Sequence, residues 1–428
     1  MHIAIIGAGA AGIFTAINLK EMTPSVRISV YESASRPLAK LGITGGGRCN
    51  LTNSFEAIKQ LSEAYPRGEK LMKRIFHRFD HKRTYQWFET HGIRLVTQPD
   101  GCVFPRSQNA GEIVGMMLHR ANELGIKIHT RHRVNTITHL EIEETIEGKK
   151  HGYRLTFSSP SINSVQADAV VVTSGGSPKI SGLSMLAPLS PTIIEPIPSL
   201  FSFNIADSAL TSLMGTVVEP VMAGIAGTKH RAMGALLITH WGMSGPAILK
   251  LSSYAARHLH DCNYQTRFFI NWYGDLSEAD ILRDLHALAE SNRNKQIGNT
   301  HPEQLPSRLW HYLLKKIDIN PETKWCDIGK KGFNRLLNTL SNDSYTTTGK
   351  NRFKDEFVTC GGVALCDIRP DTMESRTHNG LFFAGEVLDI DAITGGFNLQ
   401  AAWSTAYIVA ETLSLRQKNQ TFEIDSNE

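Results

Sequence analysis

A glycine-rich turn near the start of the chain has the spacing of a dinucleotide-binding loop. Gly7, Gly9 and Gly12 form a GxGxxG pattern after an apolar run, and Glu32 stands 20 residues beyond Gly12. In such loops the first glycine permits a sharp turn and the second lets backbone amides approach a pyrophosphate, while the third allows a helix to pack closely on a strand. The phosphates then lie at a helix N-terminus, which favours negative charge.

Glu32 narrows the choice of dinucleotide. A carboxylate at this position accepts hydrogen bonds from the adenosine ribose hydroxyls and repels the additional phosphate of NADP, so the site is expected to bind FAD or NAD. A tight turn that binds nothing is the alternative. It is disfavoured because the strand, the helix and the acid all stand at the required spacing.

A second set of glycines, near the end of the chain, favours FAD. Gly385 and Glu386 follow an apolar strand, and Gly395–Asn398 opens a helix. Glu386 would bind hydroxyls of a ribityl chain or hydroxyls near the pyrophosphate. The backbone amides of Gly396, Phe397 and Asn398 would face the pyrimidine edge of an isoalloxazine ring, where negative charge collects on reduction. An ordinary glycine-rich turn before a helix is the alternative.

Arg48 and Cys49 lie in a third glycine-rich segment, residues 42–50, and are the candidate catalytic residues. Loop amides and the neighbouring cation are expected to lower the pKa of the Cys49 thiol, which would make it the best candidate acid. The alternative is that Cys49 is a small residue packed near the ring. Arg48 could hold a phosphate or a carbonyl of the cofactor or substrate, although a loop arginine is more often solvated.

The sequence lacks the motifs of several other kinds of enzyme and binding site. No HExxH or comparable arrangement predicts a metal site, and no GxSxG elbow predicts a hydrolase. A second GxGxxG for NADPH is also missing, so an NAD(P)H donor would have to visit the flavin transiently. A reductase supplied by NAD(P)H and an oxidase that passes its electrons to oxygen both remain open.

A basic stretch between residues 67 and 83 is a candidate surface for RNA, since Lys and Arg neutralise phosphates. We expect a helix there with its charge on one broad face, interleaved with aromatic residues; a solvated helix face is the alternative. The basic residues are Arg67, Lys70, Lys73, Arg74, Arg78, Lys82 and Arg83, and the aromatic residues are Tyr65, Phe76, Phe79, Tyr85 and Trp87.

The hydrophobic periodicity around these residues predicts an α/β protein in which a Rossmann-type domain is split between the two ends of the chain. Prolines clustered at 188–198 indicate a crossing to an inserted domain. We predict a first part of the dinucleotide-binding domain at 1–195, an inserted domain at 196–350, a second part at 351–415 and a polar tail at 416–428.

Composition is that of a soluble globular enzyme, with 41% hydrophobic and 20% charged residues and a net charge of +4. No apolar run approaches the roughly 20 residues of a membrane-spanning helix. Six cysteines lack CxxC spacing, which argues against zinc and disulfides. Because Met1 leads directly into a strand, we expect no export and a cytoplasmic location.

The glycine-rich segments resemble the bacterial BaiN-type flavoprotein family. The similar motifs are residues 41–53, 372–376 and 384–400, with 239–247 and 305–310 in the inserted domain. The resemblance implies a two-dinucleotide-binding-type flavin fold with bound FAD and an inserted β-barrel plus helical domain. Members have been linked to aminoacetone oxidation, to reduction of the conjugated double bond of oxo-steroid bile acids, and to dihydrouridine formation in large-subunit ribosomal RNA.

With the resemblance included, we predict an FAD-dependent oxidoreductase that reduces uridine in 23S ribosomal RNA with NAD(P)H. The alternatives are a small-molecule reductase or oxidase with an enoyl or amine substrate, and a non-enzymatic flavin-binding regulatory protein. The predicted cofactor contacts are Gly7, Gly9, Ala10, Ala11, Gly12, Glu32, Lys40, Gly46, Gly47, Arg48, Val134, Ser174, Gly175, Gly176, Gly385, Glu386, Gly396, Phe397 and Asn398.

Overall fold

The structure is a computed structural model that describes residues 1–145, 148–158, 162–350 and 358–425. Its strands are β1 (His2–Ile6), β2 (Arg27–Tyr31), β3 (Thr52–Asn53), β4 (Leu95–Thr97), β5 (Cys102–Pro105), β6 (Lys127–His129), β7 (Val134–Thr145), β8 (Gly148–Phe157), β9 (Ser164–Ala167), β10 (Ala169–Val172), β11 (Ile193–Pro198), β12 (Phe203–Asn204), β13 (Val217–Ile225), β14 (Arg231–Thr239), β15 (Gly242–Ser244), β16 (Thr266–Asn271), β17 (Asp343–Thr347), β18 (Gly349–Lys350), β19 (Thr359–Val363), β20 (Ile368–Arg369), β21 (Glu374–Ser375) and β22 (Leu381–Phe383). Its helices are α1 (Ala10–Met22), α2 (Ala39–Gly47), α3 (Leu61–Ala64), α4 (Glu69–Ile75), α5 (His81–Thr90), α6 (Ala110–Glu123), α7 (Ser208–Thr211), α8 (Pro246–Tyr254), α9 (Ala256–Asp261), α10 (Glu278–Ser291), α11 (Ser307–Lys316), α12 (Gly329–Asn342) and α13 (Phe397–Asp425). Short 3-10 helices cover Ile180–Leu189, Ile297–Asn299, Trp325–Asp327, Leu365–Asp367 and Gly385–Val387.

Contacts divide the chain into two compact units. The first joins Met1–Pro198 to Lys354–Glu428, and the second is Ser199–Phe353. The predicted domain boundaries after 195 and after 350 remain predictions. The predicted start of the returning part, residue 351, lies outside the described residues, and so does the end of the predicted tail, 426–428.

The first unit is built on a sheet with the strand order β20-β21-β22-β10-β1-β2-β6 among the described residues. The strands from β22 to β6 run parallel. Ala169–Val172 is wholly buried, as expected for a central strand covered on both faces. The carboxyl ends of parallel strands meet at one edge, so the loops after β1, β10 and β22 lie together there. The predicted α/β fold class is confirmed.

The last helix is longer than predicted. The sequence predicted a polar tail from residue 416, but α13 continues through it to Asp425. The Arg416 guanidinium donates to Glu374 Oε1 at 2.7 Å, which ties the helix to β21 beyond its last buried leucine. The residues that follow include Gln and Lys, which are good helix formers and allow the helix to continue.

The basic stretch does not form the single helix that we predicted. Glu69–Ile75 and His81–Thr90 are separate helices. The break has a local cause, because the Asp80 carboxylate accepts a hydrogen bond from the Arg83 amide at 2.9 Å and caps the start of α5.

The second unit contains a sheet with the order β17-β16-β13-β14-β15-β12-β18 among the described residues. Its two edge strands are joined through Thr348 alone, and the Thr347 hydroxyl donates to the Gly349 carbonyl at 2.9 Å. In a flat sheet of this width the edges would be roughly 29 Å apart at about 4.8 Å per strand. The sheet therefore curls round as a barrel does, and α10, α11 and α12 lie in the chain between its strands β16 and β17.

Candidate cofactor site

The first glycine turn shows two different uses of glycine. Gly7 has φ +102°, and a Cβ there would lie 2.4 Å from the Thr173 carbonyl oxygen. A Cβ on Gly12 would lie 2.0 Å from the Gly7 carbonyl oxygen. At Gly9 no protein atom lies within 4 Å of an added Cβ. Gly7 and Gly12 are thus required by the fold, whereas Gly9 presents the start of α1 to whatever lies outside the protein.

Glu32 directly follows β2, at the end of the second strand as the sequence predicted. Its Oε2 accepts from the Ala8 amide at 2.8 Å, and its Oε1 accepts from the Ala34 amide at 2.7 Å. These bonds fix the carboxylate beside the glycine turn. A carboxylate can accept more hydrogen bonds than these, so it remains able to receive ribose hydroxyls.

A cavity of about 480 Å³ extends from Glu32 within the first unit. Four predicted cofactor contacts line it, namely Gly7, Glu32, Val134 and Ser174. Sequence reasoning missed several other lining residues because they belong to no motif and come from the end of β2, the start of β7, the end of β8 and a 3-10 helix. They include Ser33, His132, Arg133, Asn135, Ser158 and Met185.

The middle of the site joins four segments that are distant in sequence. A Cβ on Gly385 would lie 2.9 Å from the Ala11 Cβ, and a Cβ on Gly176 would lie 2.7 Å from the Glu386 carboxylate. Glu386 in turn pairs with the Lys40 ammonium at 2.9 Å. The structure therefore brings the first turn, the start of α2, the loop after β10 and the loop after β22 to one place.

The start of α13 is held against β3. A Cβ on Gly396 would lie 2.3 Å from the Thr52 carbonyl oxygen and 2.7 Å from Asn50 Oδ1. Asn53 Nδ2 donates to the Gly395 carbonyl at 3.0 Å, and the Tyr65 hydroxyl donates to the Phe397 carbonyl at 3.0 Å. The first N–H groups of a helix have no intrahelical partner, so this anchored terminus can bind an anionic or carbonyl group.

The side chain of Asn398 is engaged by the preceding loop, which leaves its backbone to meet a cofactor. Its side chain accepts from the Ala392 amide at 2.9 Å and donates to the Ala392 carbonyl at 2.9 Å, so both ends of the carboxamide close the preceding loop. Phe397 is buried and meets the rings of Phe55 and Tyr65 edge to face. Of the predicted contacts at this end, the backbone amides are the parts that can reach a cofactor.

The third glycine-rich segment is partly helical and then unwinds. Within Ala39–Gly47 the residues Thr44, Gly45 and Gly46 leave helical geometry, and Gly45, Gly46 and Gly47 all have positive φ. An added Cβ on Gly46 or Gly47 would have no protein atom within 4 Å. Like the turn at Gly9, this loop leaves its backbone open to a ligand outside the protein.

The prediction that the pKa of Cys49 is lowered is wrong. The side chain is fully buried, and this burial raises the pKa of the thiol to about 12, against a smaller lowering by a hydrogen bond with Thr44. The prediction assumed that the thiol shares the exposure of its loop. Instead the backbone turns at Cys49, which has φ +62°, and directs the side chain into the protein, where desolvation of the thiolate dominates.

Arg48 keeps its guanidinium at the surface. The guanidinium carbon lies 4.3 Å from the centre of the Phe104 ring, and Nε donates to the Gly45 carbonyl at 3.2 Å. Gln108 Oε1 accepts from it at 3.4 Å. Within the described part of the chain the guanidinium makes no ion pair, so its charge is available to a ligand.

Three charges of the basic stretch are neutralised inside the first unit. Arg67 pairs with Asp391, Arg74 with Asp371, and Arg78 with Glu411. The interleaved aromatics pack in the core or against it; Tyr65 and Phe79 are buried, and the indole of Trp87 donates to Asn18. The exposed cations that remain are Lys70, Lys73, Lys82 and Arg83.

These residues fit a long dinucleotide. Asn50 Oδ1 is buried and has no hydrogen-bond partner among the described residues, and it lies beside Gly396 at the start of α13. Gly9, Gly46, Gly47 and Gly175 would each take a Cβ without protein contact within 4 Å. Across the ranges described, no three His, Cys, Asp or Glu residues could together hold a metal ion, and no helix is long and apolar enough to cross a membrane.

Comparisons with known proteins place the chain in a family. The profile of the HI0933-like protein Rossmann domain matches residues 1–412. The 3-dehydro-bile acid delta(4,6)-reductase of Clostridium scindens is 24% identical over 97% of this chain and 99% of its own length. The ribosomal RNA dihydrouridine synthase of Haemophilus influenzae is 28% identical over 96% of this chain and 98% of its own length.

Among solved structures, the 3-ketosteroid-delta4-(5alpha)-dehydrogenase of Rhodococcus jostii in complex with 4-androstene-3,17-dione superposes with a TM-score of 0.50. It is 13% identical, and the alignment covers 96% of each chain, so it supports the fold alone. The predicted family resemblance is confirmed, and the relatives named here are enzymes. The chain belongs to the HI0933-like Rossmann family.

Proposed function

We propose that this chain is an FAD-dependent oxidoreductase that reduces uridine in large-subunit ribosomal RNA to dihydrouridine, with NAD(P)H as the electron source. The proposal of FAD as cofactor rests on two helix starts, α1 at Gly9 and α13 at Phe397. Glycine loops between them leave the backbone exposed at Gly46, Gly47 and Gly175. One end lies beside a carboxylate suited to ribose, and the other beside the unpaired Asn50 Oδ1. From one end of the site to the other, these groups suit the adenosine, the pyrophosphate and the ring system of FAD in that order.

When bound, FAD supplies hydride transfer. The residues of this chain would hold it: the amides at the start of α1 would bind the pyrophosphate, and Glu32 the ribose. Lys40 and Glu386 lie between the two ends as an ion pair and can bind hydroxyls or a phosphate. The amides at the start of α13 would stabilise negative charge on the pyrimidine edge.

The reaction adds one hydride and one proton across the C5–C6 double bond of uridine, so that uridine, NAD(P)H and a proton give dihydrouridine and NAD(P)⁺. Cys49 is an unsuitable proton donor because its thiol is enclosed and its pKa is about 12. Arg48, exposed beside the glycine loop, is the better candidate to contact the substrate, through a carbonyl or a phosphate.

The substrate proposal is supported by the H. influenzae relative, which is similar over nearly its full length. Ribosomal RNA as the partner is also supported by exposed cations of the basic stretch that form no ion pair among the described residues and can contact phosphates. They are Lys70, Lys73, Lys82 and Arg83. The base would have to leave its stack to reach the ring. A cytoplasmic location follows from this substrate.

A small-molecule reductase is the second candidate, and the C. scindens relative favours it. Both candidates use the same cofactor site and differ in what is placed against the ring. An oxo-steroid with a conjugated double bond is the appropriate probe for the second candidate.

The deciding experiment maps dihydrouridine in 23S ribosomal RNA from a strain that lacks the gene. We expect one site to lose the modification and wild-type protein to restore it. A Gly9→Val variant should fail to restore it, while Gly115→Val, on an exposed face of α6 with no protein atom within 4 Å of the added Cβ, should restore it. Intact modification in the deletion strain, together with reoxidation of the reduced flavin by an oxo-steroid enone, would replace the first candidate with the second.

A further inference from the structure

Two arginines face each other across the small sheet β3-β5-β4 beside the glycine loop. The register of β4 and β5 pairs Leu95 with Pro105 and Val96 with Phe104. The Arg106 amide donates to the Arg94 carbonyl at 2.7 Å, which continues the antiparallel pairing by one residue and sets Arg94 opposite Arg106. Like charges directly opposite on a sheet destabilise it.

Neither guanidinium is compensated by the protein. Both residues are exposed, and among the described residues neither side chain makes a hydrogen bond or an ion pair. By contrast, Arg67, Arg74 and Arg78 each form an ion pair with a carboxylate of the same unit. A repelling pair that is left uncompensated suits a site where a ligand supplies the negative charge.

Strand alternation places these two arginines on the face that carries Val96 and Phe104. On that face the Arg48 guanidinium lies over the Phe104 ring, and a Cβ on Gly45 would lie 3.3 Å from the same ring. Val96 is 37% exposed, so an apolar contact accompanies the charges. We call the set Arg48, Arg94, Val96 and Arg106 the arginine face; it borders the loop at Gly45–Gly47.

We propose that the arginine face binds the phosphodiester backbone of the RNA strand that carries the target base. The proposal rests on the proposed function and adds a surface that the basic stretch does not include. Three guanidiniums suit successive phosphates because each presents a planar fork of donors to phosphate oxygens. Their place next to the glycine loop would guide the strand to the candidate ring site.

The test measures binding of oligouridylate to the FAD-loaded protein as a function of salt. Each phosphate contact to a single strand contributes about 0.7 to the slope of log affinity against log salt concentration. The double variant Arg94→Gln with Arg106→Gln should therefore lower the slope by about 1.4 and weaken binding at low salt. The matched control, Lys330→Gln with Lys331→Gln, removes two exposed charges from α12 of the second unit and should keep the wild-type slope.

A second variant guards against misfolding. Arg94→Glu creates an ion pair with Arg106 in place of the repulsion, so it should keep or raise the Tm while weakening oligouridylate binding. A wild-type slope in both variants, or no salt-dependent binding by the wild-type protein, would overturn the proposal.

The two experiments distinguish an error in the RNA-binding proposal for the arginine face from an error in the proposed function. Loss of dihydrouridine on gene deletion, together with an unchanged slope in the variants, would leave the function standing and remove the arginine face. The opposite result, intact dihydrouridine with a reduced slope, would remove the uridine substrate and keep an RNA-binding surface.

Discussion

The glycines of the first unit fall into two groups that differ in what surrounds them. Gly7, Gly12 and Gly396 lie where an added Cβ would meet a backbone oxygen at 2.0 to 2.4 Å. Gly9, Gly46, Gly47 and Gly175 lie where an added Cβ would meet no protein atom within 4 Å. The first group is required by the packing of the fold. In the second group, positive φ already favours glycine at Gly46, Gly47 and Gly175, and the open space at all four positions leaves the backbone accessible to a ligand.

The strongest test of this contrast is Gly12→Ala. Its Cβ would collide with the Gly7 carbonyl, which the Thr173 hydroxyl also holds, so no side-chain movement can relieve the clash. We expect a strongly destabilised protein, since overpacking typically costs about 1–3 kcal/mol and a clash with fixed backbone belongs at the upper end of that range. Gly115→Ala is the control; on an exposed face of α6 it should stabilise the protein by about 1 kcal/mol. Urea unfolding measures both, and a stable Gly12→Ala protein would contradict the contrast.

Gly9→Val tests the other group. With φ −83° and space for the side chain, Gly9 accepts valine without strain, so the flavin-free protein should fold with the Tm of flavin-free wild type. The new methyl groups would occupy the approach to the helix terminus and weaken FAD binding by roughly 100-fold, equivalent to about 3 kcal/mol of lost hydrogen bonds to charged groups. The visible absorbance of the purified protein reports the flavin. A yellow Gly9→Val protein would show that the pyrophosphate binds elsewhere.

Glu32→Gln sharpens the comparison at the ribose end. The substitution keeps the shape but exchanges one of the two acceptor oxygens at the Ala8 and Ala34 amides for a donor. We expect FAD affinity to fall about 5-fold, or about 1 kcal/mol, for a half-buried hydrogen bond to a charged group. Titration of the apoprotein with FAD measures this. An unchanged affinity would mean that Glu32 only braces the glycine turn.

Cys49→Ala should have the smallest effect, and on stability rather than on turnover. Because the thiol is enclosed, substrate reduction should be unchanged, while the free energy of unfolding falls by about 1 kcal/mol at pH 8. The pKa of about 12 in the folded protein lies above the ordinary pKa of a cysteine thiol, so this thiol's contribution to stability is complete below that ordinary pKa and is lost as pH rises towards 12.

The stability gap between wild type and Cys49→Ala should therefore narrow between pH 8 and pH 10, as measured by urea unfolding at the two pH values. A slowed flavin reduction by substrate in Cys49→Ala would instead restore Cys49 as the acid.

The prediction from sequence was most successful where spacing alone dictates structure. The βαβ unit, the turn at Gly7–Gly12, the acid at Glu32 and the helix after Gly395 all follow from period, glycine position and a strand end, which are local properties. It was least successful for Cys49 and for the basic stretch. Both depend on the direction of a side chain relative to the core, which neighbouring residues in sequence do not specify.

The amino-acid sequence by itself determined that a dinucleotide loop and a second glycine-rich helix start exist in this chain, because glycine spacing and hydrophobic period are written in consecutive residues. Only the tertiary structure decided which charges are available. Arg67, Arg74 and Arg78 are neutralised by carboxylates roughly 300 positions away, while Arg94 and Arg106 are left facing each other. Electrostatic interactions depend on distance in space, and that distance is set when the chain has folded.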